Sequence, residues 1–109
     1  MPNYLYSYHG GGGMPDDPEV VEKVMGLWMA WYDRMGDAVV DAGSPVAMAR
    51  TVDPDGSVSD GGGANPVNGY TVISADDLDA AVIAAQDHPH LRDGSIEISE
   101  LIDMSPPEG

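Results

Sequence analysis

Cysteine is absent from the chain, which excludes disulfide staples, thiolate metal sites and cysteine nucleophiles. Cations are scarce: Lys and Arg together number 4 against 19 Asp and Glu, and Lys23 is the only lysine. The formal net charge of −15 argues against nucleic acid as a partner, because that binding rests on cationic side chains meeting phosphates. It argues equally against anionic membrane surfaces. No apolar run approaches the roughly 20 residues that a membrane-spanning helix needs, so no membrane partner is expected. The start Met1-Pro2-Asn3-Tyr4 carries no basic stretch, and a cytoplasmic protein is expected. Asp exceeds Glu by 14 to 5. Such an acidic excess is what a salt-rich cytoplasm favours, since screening removes self-repulsion; a biased genome in an ordinary cell is the alternative.

What is present suits one small globular domain. The 109 residues are 42% apolar, enough for a single core over about residues 3–104, with 105–109 as a flexible tail. Tyr4, Tyr6 and Tyr8 alternate with Leu5, Ser7 and His9, which predicts a strand. Gly10 to Gly13 and Pro15 end it in a loop, a candidate lid. Asp17-Pro18 then opens a helix, with Asp17 as N-cap and Pro18 in its first turn. Val21, Val24, Met25, Trp28, Trp31, Tyr32 and Met35 recur at three and four and form its buried face. After Gly36, a short strand over 38–43 is expected to continue past a kink at Ser44-Pro45 into 46–52. Asp53-Pro54-Asp55-Gly56 is a turn, and Tyr70 to Ile73 is a β-branched strand. Asp76-Asp77 starts a second helix with Leu78, Ala81, Val82 and Ala85 inward. Ser95 to Leu101 alternates as the last strand.

The order β-α-β-β-α-β is the ferredoxin-like pattern of an α+β domain, with an antiparallel sheet and both helices on one face. The other sheet face would then carry a Tyr or Ile/Leu row in the open. A second copy is the expected cover, giving a homodimer.

Tyr4-Leu5-Tyr6-Ser7-Tyr8, Asn68-Gly69-Tyr70-Thr71-Val72-Ile73, Leu78-Asp79-Ala80-Ala81 and Gly94-Ser95-Ile96-Glu97-Ile98 resemble the YCII-related domain, including its DGPF branch. The resemblance spans about Asn3 to Met104. It implies a dimeric α/β barrel, in a superfamily that includes lactone isomerases, cofactor-poor monooxygenases and a dehydrochlorinase. Some members carry a His–Asp pair, and Asp87 resembles its aspartate. The histidine of that pair belongs near Val24-Met25, where this helix has none.

The topology collects polar residues at one edge of the sheet. The end of the first strand, the 53–68 connection, the end of the second helix and the start of the last strand meet there. That edge holds His9, His88 and His90, which are all the histidines of the chain, together with Asp87 and Asn65. Asp87, His9 and His88 are therefore the candidate catalytic residues. A histidine beside Asp87 and a helix C-terminus is expected to have a raised pKa and to exchange protons near neutral pH. Tyr8, His90, Trp28 and Trp31 are the candidate ligand contacts. Asp87-His88-Pro89-His90 is too short and unspecific to read as a metal site, and the glycine loops lack the spacing of a phosphate cradle. No metal and no cofactor are expected. Two functions fit: a small acid–base enzyme acting on a lactone, enol or hydroxylated ring, or a non-catalytic dimeric module that binds a small molecule or a protein.

The charge generates the first prediction. Melting temperature should rise from low salt to molar KCl, because the screening length shrinks to about 3 Å at 1 M. A midpoint that stays flat or falls across that series removes the physical basis for the salt-rich setting.

Overall fold

A computed structural model describes residues 1–11 and 16–104. Its strands are β1 (Asn3–Gly10), β2 (Val39–Pro45), β3 (Arg50–Val52), β4 (Val58–Asp60), β5 (Val67–Ser74) and β6 (Gly94–Glu100), and its helices are α1 (Pro18–Met35) and α2 (Leu78–Ala85). Among the described residues, no helix is long and apolar enough to cross a membrane. Four strands form an antiparallel sheet in the order β2-β5-β1-β6. The order of strands and helices is that of a ferredoxin-like α+β fold, with the β3-β4 hairpin inserted between the second and third sheet strands. The part of the glycine loop over 12–15 and the tail over 105–109 lie outside the described residues.

Local chemistry sets the helix ends. The Asp17 carboxylate accepts the Glu19 N–H at 2.9 Å, Pro18 stands in the first turn, and Gly36 ends α1 with φ 54° while its N–H reaches the Tyr32 carbonyl. Asp77 caps α2 by accepting the Ala80 N–H at 2.8 Å. The helix stops at Ala85, and a 3₁₀ turn over Pro89–Arg92 leads into β6.

Directly opposed residues of an antiparallel pair share a face. Tyr4, Tyr6 and Tyr8 oppose Ile73, Thr71 and Gly69 on β5 and Glu100, Ile98 and Ile96 on β6. This is the helix-covered face: the tyrosines, Ile73, Trp31, Ala81 and Ala85 form the core. The tyrosine row and Ile96/Ile98 thus lie under the helices rather than in the open, contrary to the sequence expectation. Phenols can sit there because each inner hydroxyl finds a partner: Tyr6 donates to the Ala81 carbonyl at 2.6 Å and Tyr8 to Thr71 Oγ1 at 2.7 Å. The open face carries a smaller apolar patch, Leu5 with Tyr70 and Val72, bordered by Ser7, Ser95, Glu97 and Ser99. Leu78 and Val82, expected to be inward, are partly exposed, as is Met25 on α1. The eight-residue α2 meets the core through small residues, the buried Ala81 and Ala85 and the partly buried Ala80.

A second correction concerns residues 46–52. They do not prolong β2. Arg50–Val52 pairs only with Val58–Asp60, in a separate two-stranded sheet. The Asp53-Pro54-Asp55-Gly56 turn, with Gly56 at φ 86°, folds the chain back on itself.

Two glycines separate conformational strain from crowding. Gly43 in β2 has φ 75°, and a Cβ there would run into the Tyr70 carbonyl of β5, whereas Gly56 has nothing within 4 Å. Gly56→Ala should cost only the left-handed strain, about 1–2 kcal/mol. Gly43→Ala should cost clearly more, because β2 must also shift away from β5. Equal losses in urea unfolding of the two variants would contradict the close approach of β2 to Tyr70.

Candidate functional site

The tip of β1, the middle of α1 and the segment after α2 meet around Tyr8. Its ring lies 5.3 Å from Trp28 and 5.1 Å from each of His88 and His90. His88 also sits 4.5 Å from both Trp28 and Trp31. The structure therefore brings together five of the seven sequence candidates: Tyr8, Trp28, Trp31, His88 and His90. Trp31 is buried and its indole N–H donates to the Ala84 carbonyl at 3.1 Å, while Trp28 is half-buried at the rim.

Proton bookkeeping fixes the state of His88. Its Nδ1 accepts the His90 backbone N–H at 3.0 Å, so the neutral ring carries its proton on Nε2. Nε2–H then donates to the Tyr8 hydroxyl at 3.1 Å, and Tyr8 donates to Thr71 Oγ1. Thr71 donates to the Ala42 carbonyl at 3.0 Å, and the Tyr32 hydroxyl adds contacts at 3.2 Å to both Thr71 and Ala42. Both imidazole nitrogens of His88 are thus engaged in holding the fold. A charged His88 would have to give up the bond that Nδ1 accepts.

Electrostatics follow the same direction. Burial, with a smaller contribution from His90, pushes the His88 pKa down to about 4 from 6.5. The sequence expectation of a histidine raised by Asp87 is thereby reversed. Asp87 does raise it, but weakly against desolvation, because its carboxylate is turned to Arg34 in a two-pronged ion pair with Arg34 Nη2 2.7 Å from Asp87 Oδ1. That guanidinium holds the Asp87 carboxyl below its ordinary value. Burial pushes the Tyr6 hydroxyl up to about 12 and the Tyr8 hydroxyl up as well, so both stay protonated.

His9 stands apart. It belongs to the open-face series with Leu5 and Ser7, and a register shift at Tyr8/His9 lets the chain over 65–66 fold onto it. Nδ1–H donates to the Asn65 and Pro66 carbonyls, each at 3.1 Å, and the buried Nε2 has no partner among the described residues. Only the His9 backbone reaches the cluster, where its carbonyl accepts from His90 Nε2 at 2.9 Å. Asp87, His9 and His88 therefore do not form one acid–base group.

Beside the cluster, α1 and the Pro89–Arg92 turn enclose a groove of about 480 Å³, lined by Leu27, Ala30, Trp31, Arg34, Asp87, His88, Pro89 and Arg92. Its volume is that of a small-molecule site. Two of the chain's four basic side chains line it. Arg34 is paired with Asp87, while Arg92 makes no ion pair among the described residues. Sequence reasoning missed Arg34, Arg92, Tyr32 and Thr71. The scarcity of cations was the available signal for the arginines. Thr71 could have been found as the polar residue in an inward, otherwise apolar row. Among the described residues no group of three metal-ligating side chains converges.

No family model matches the chain, and no curated protein matches it.

The depressed His88 pKa has a defined sign. A histidine that binds its proton less well folded than unfolded adds stability that is complete above pH 6.5 and fades as pH falls toward 4. Urea unfolding at pH 7 and at about pH 4.5 should show wild type losing roughly 2–3 kcal/mol more than His88→Gln, the common carboxylate titrations cancelling in the difference. Parallel pH profiles for the two proteins would contradict the buried neutral imidazole.

Proposed function

We propose that the chain is a YCII-related, non-catalytic binding module that holds a small anionic ring compound in the groove between α1 and the Pro89–Arg92 turn. One observation carries this reading. In a chain of net charge −15, Arg92, a guanidinium with no ion pair among the described residues, lines the groove together with the apolar Leu27, Ala30 and Trp31. The apolar wall suits a ring, and the guanidinium suits a carboxylate or enolate. Arg34 and Asp87 pair with each other beside it, which leaves Arg92 as the groove's guanidinium with no ion pair among the described residues.

The engagement of the three catalytic candidates supports binding over chemistry. Asp87 faces Arg34, His88 uses both ring nitrogens, and the His9 ring is closed over by 65–66. A homodimer in a salt-rich cytoplasm belongs to the same proposal, with the open sheet face of each copy turned toward the other. The half-buried patch of Leu5, Tyr70 and Val72 on the open face supports it. One observation favours the enzyme reading on lactones, enols or hydroxylated rings. His90 Nδ1 has no partner among the described residues, and its ring lies beside Tyr8 and Trp28.

Titration with benzoate and 4-hydroxybenzoate, followed by tryptophan fluorescence and by the Trp31 indole resonance, tests the proposal. Saturable binding is expected, weakened about tenfold or more by Arg92→Ala, the loss of one charge-assisted pair. Binding that ignores Arg92→Ala, or none at all for ring carboxylates, sinks the groove as the site. If a bound lactone or enol is returned chemically altered, and His90→Gln stops the change, the enzyme reading replaces this one.

A further inference from the structure

The chain exposes more surface than its mass requires. Its accessible surface is 7711 Å², against about 5,800 Å² for a compact monomer of 11.4 kDa. Its radius of gyration is 16.1 Å, against about 13 Å for a compact chain of this length. The excess of about 1,900 Å² exceeds the roughly 800 Å² that each partner of a standard interface removes from water.

Residues 46–66 are an exposed part of the chain. Every one of them is exposed except the half-buried Thr51, and neither β3 nor β4 packs extensively against any element but the other. A two-stranded hairpin of this size is marginal by itself. Val52 and Val58 oppose each other directly and so share one face, with the Arg50–Asp60 ion pair at the same face's end. Thr51 and Ser59 occupy the other face, and Thr51 Oγ1 donates to the Gly61 carbonyl. Val52 and Val58 are mostly in solvent, and Met48, just before β3, is 95% exposed.

The root of this arm is fixed to the sheet. His9 Nδ1–H donates to the Asn65 and Pro66 carbonyls, Asn68 Nδ2 donates to the Gly10 carbonyl at 2.7 Å, and the Val46 N–H donates to the Asn68 carbonyl at 3.0 Å. An anchored root with an apolar, unpacked tip is a device that reaches outward. The tip is short of apolar cover, and so is the Leu5–Tyr70–Val72 patch of the open sheet face. In a two-fold assembly each copy supplies one of each, and reciprocal placement covers both.

We infer that the β3-β4 arm is a clasp that lies on a second copy of this chain, its Val52/Val58 face and Met48 meeting the apolar patch of the partner's open sheet face. The clasp rests on the homodimer reading above and adds to it the element that holds the two copies.

Sedimentation equilibrium in about 1 M KCl, where like charges are screened, compares wild type with Val52→Asp/Val58→Asp. Circular dichroism and tryptophan fluorescence check that each retains its fold. The expected result is a wild-type dimer whose dissociation constant rises about tenfold or more in the variant. A wild-type dimer with an unchanged constant in the folded variant overturns the clasp and leaves the homodimer standing. A wild-type monomer at tens of micromolar overturns the homodimer and the clasp with it. Because the chain has no cysteine, Met48→Cys gives a single site for a photocrosslinker and a second measurement independent of the charged variant. Crosslinks to a second copy at Leu5, Tyr70 or Val72 support the clasp. Crosslinks confined within one chain overturn it, because the arm would then be covering its own domain.

Discussion

The Tyr8 hydroxyl is the joint on which this small domain turns. It accepts a hydrogen bond from His88 on the segment after α2 and donates one to Thr71 on β5. Through Thr71 the same hydrogen-bonded chain reaches Ala42 on β2 and Tyr32 on α1. One phenol on a central strand thereby ties both other inner layers of the fold to one another. Buried hydroxyls without partners cost on the order of 1–3 kcal/mol each, so the network is stable only when every member is present.

That economy has a chemical cost. A histidine useful for proton transfer needs a nitrogen that can change partners. His88 has none to spare: one nitrogen caps the Pro89–Arg92 turn and the other supports Tyr8. The aromatic rings packed around it further disfavour its cation. The groove next door is different in kind. Besides His88, its polar groups are two arginines and an aspartate at the surface, within reach of water. The hydrogen-bonded cluster and the groove thus meet at the same turn.

Much of the fold was legible in the sequence because its signals are local and periodic. Tyr4/Tyr6/Tyr8 announces a strand, Asp17-Pro18 a helix start, and the 3–4 spacing of Val24, Trp28, Trp31 and Met35 the inner side of α1. The pairing of β1 with β6 followed from topology, and with it the meeting of Tyr8, His88 and His90. Which face of a strand is covered is not local, and the tyrosines belong inside only because Thr71 and the Ala81 carbonyl accept their hydrogen bonds. Residues 46–52 misled for a similar reason. Val46, Val52 and their neighbours have strand composition, but the partner is supplied by a turn whose strength depends on Gly56 adopting φ 86°. Adjacency of Asp87 and His88 in sequence suggested a pair, yet successive residues here point to different environments, one to Arg34 and one into the aromatic cluster.

Gly94 and His90 share a volume that can hold only one of two things. A Cβ on Gly94 would fall 2.6 Å from the His9 carbonyl oxygen and directly onto the His90 ring, the two groups that bond to each other. The backbone oxygen cannot leave without disturbing β1, so the ring must. A larger residue at 94 therefore needs both the His90 ring to leave its place and β1 to shift at His9. The bond between His90 and the His9 carbonyl thus exists only because residue 94 has no side chain, although neither 90 nor 94 lines the groove.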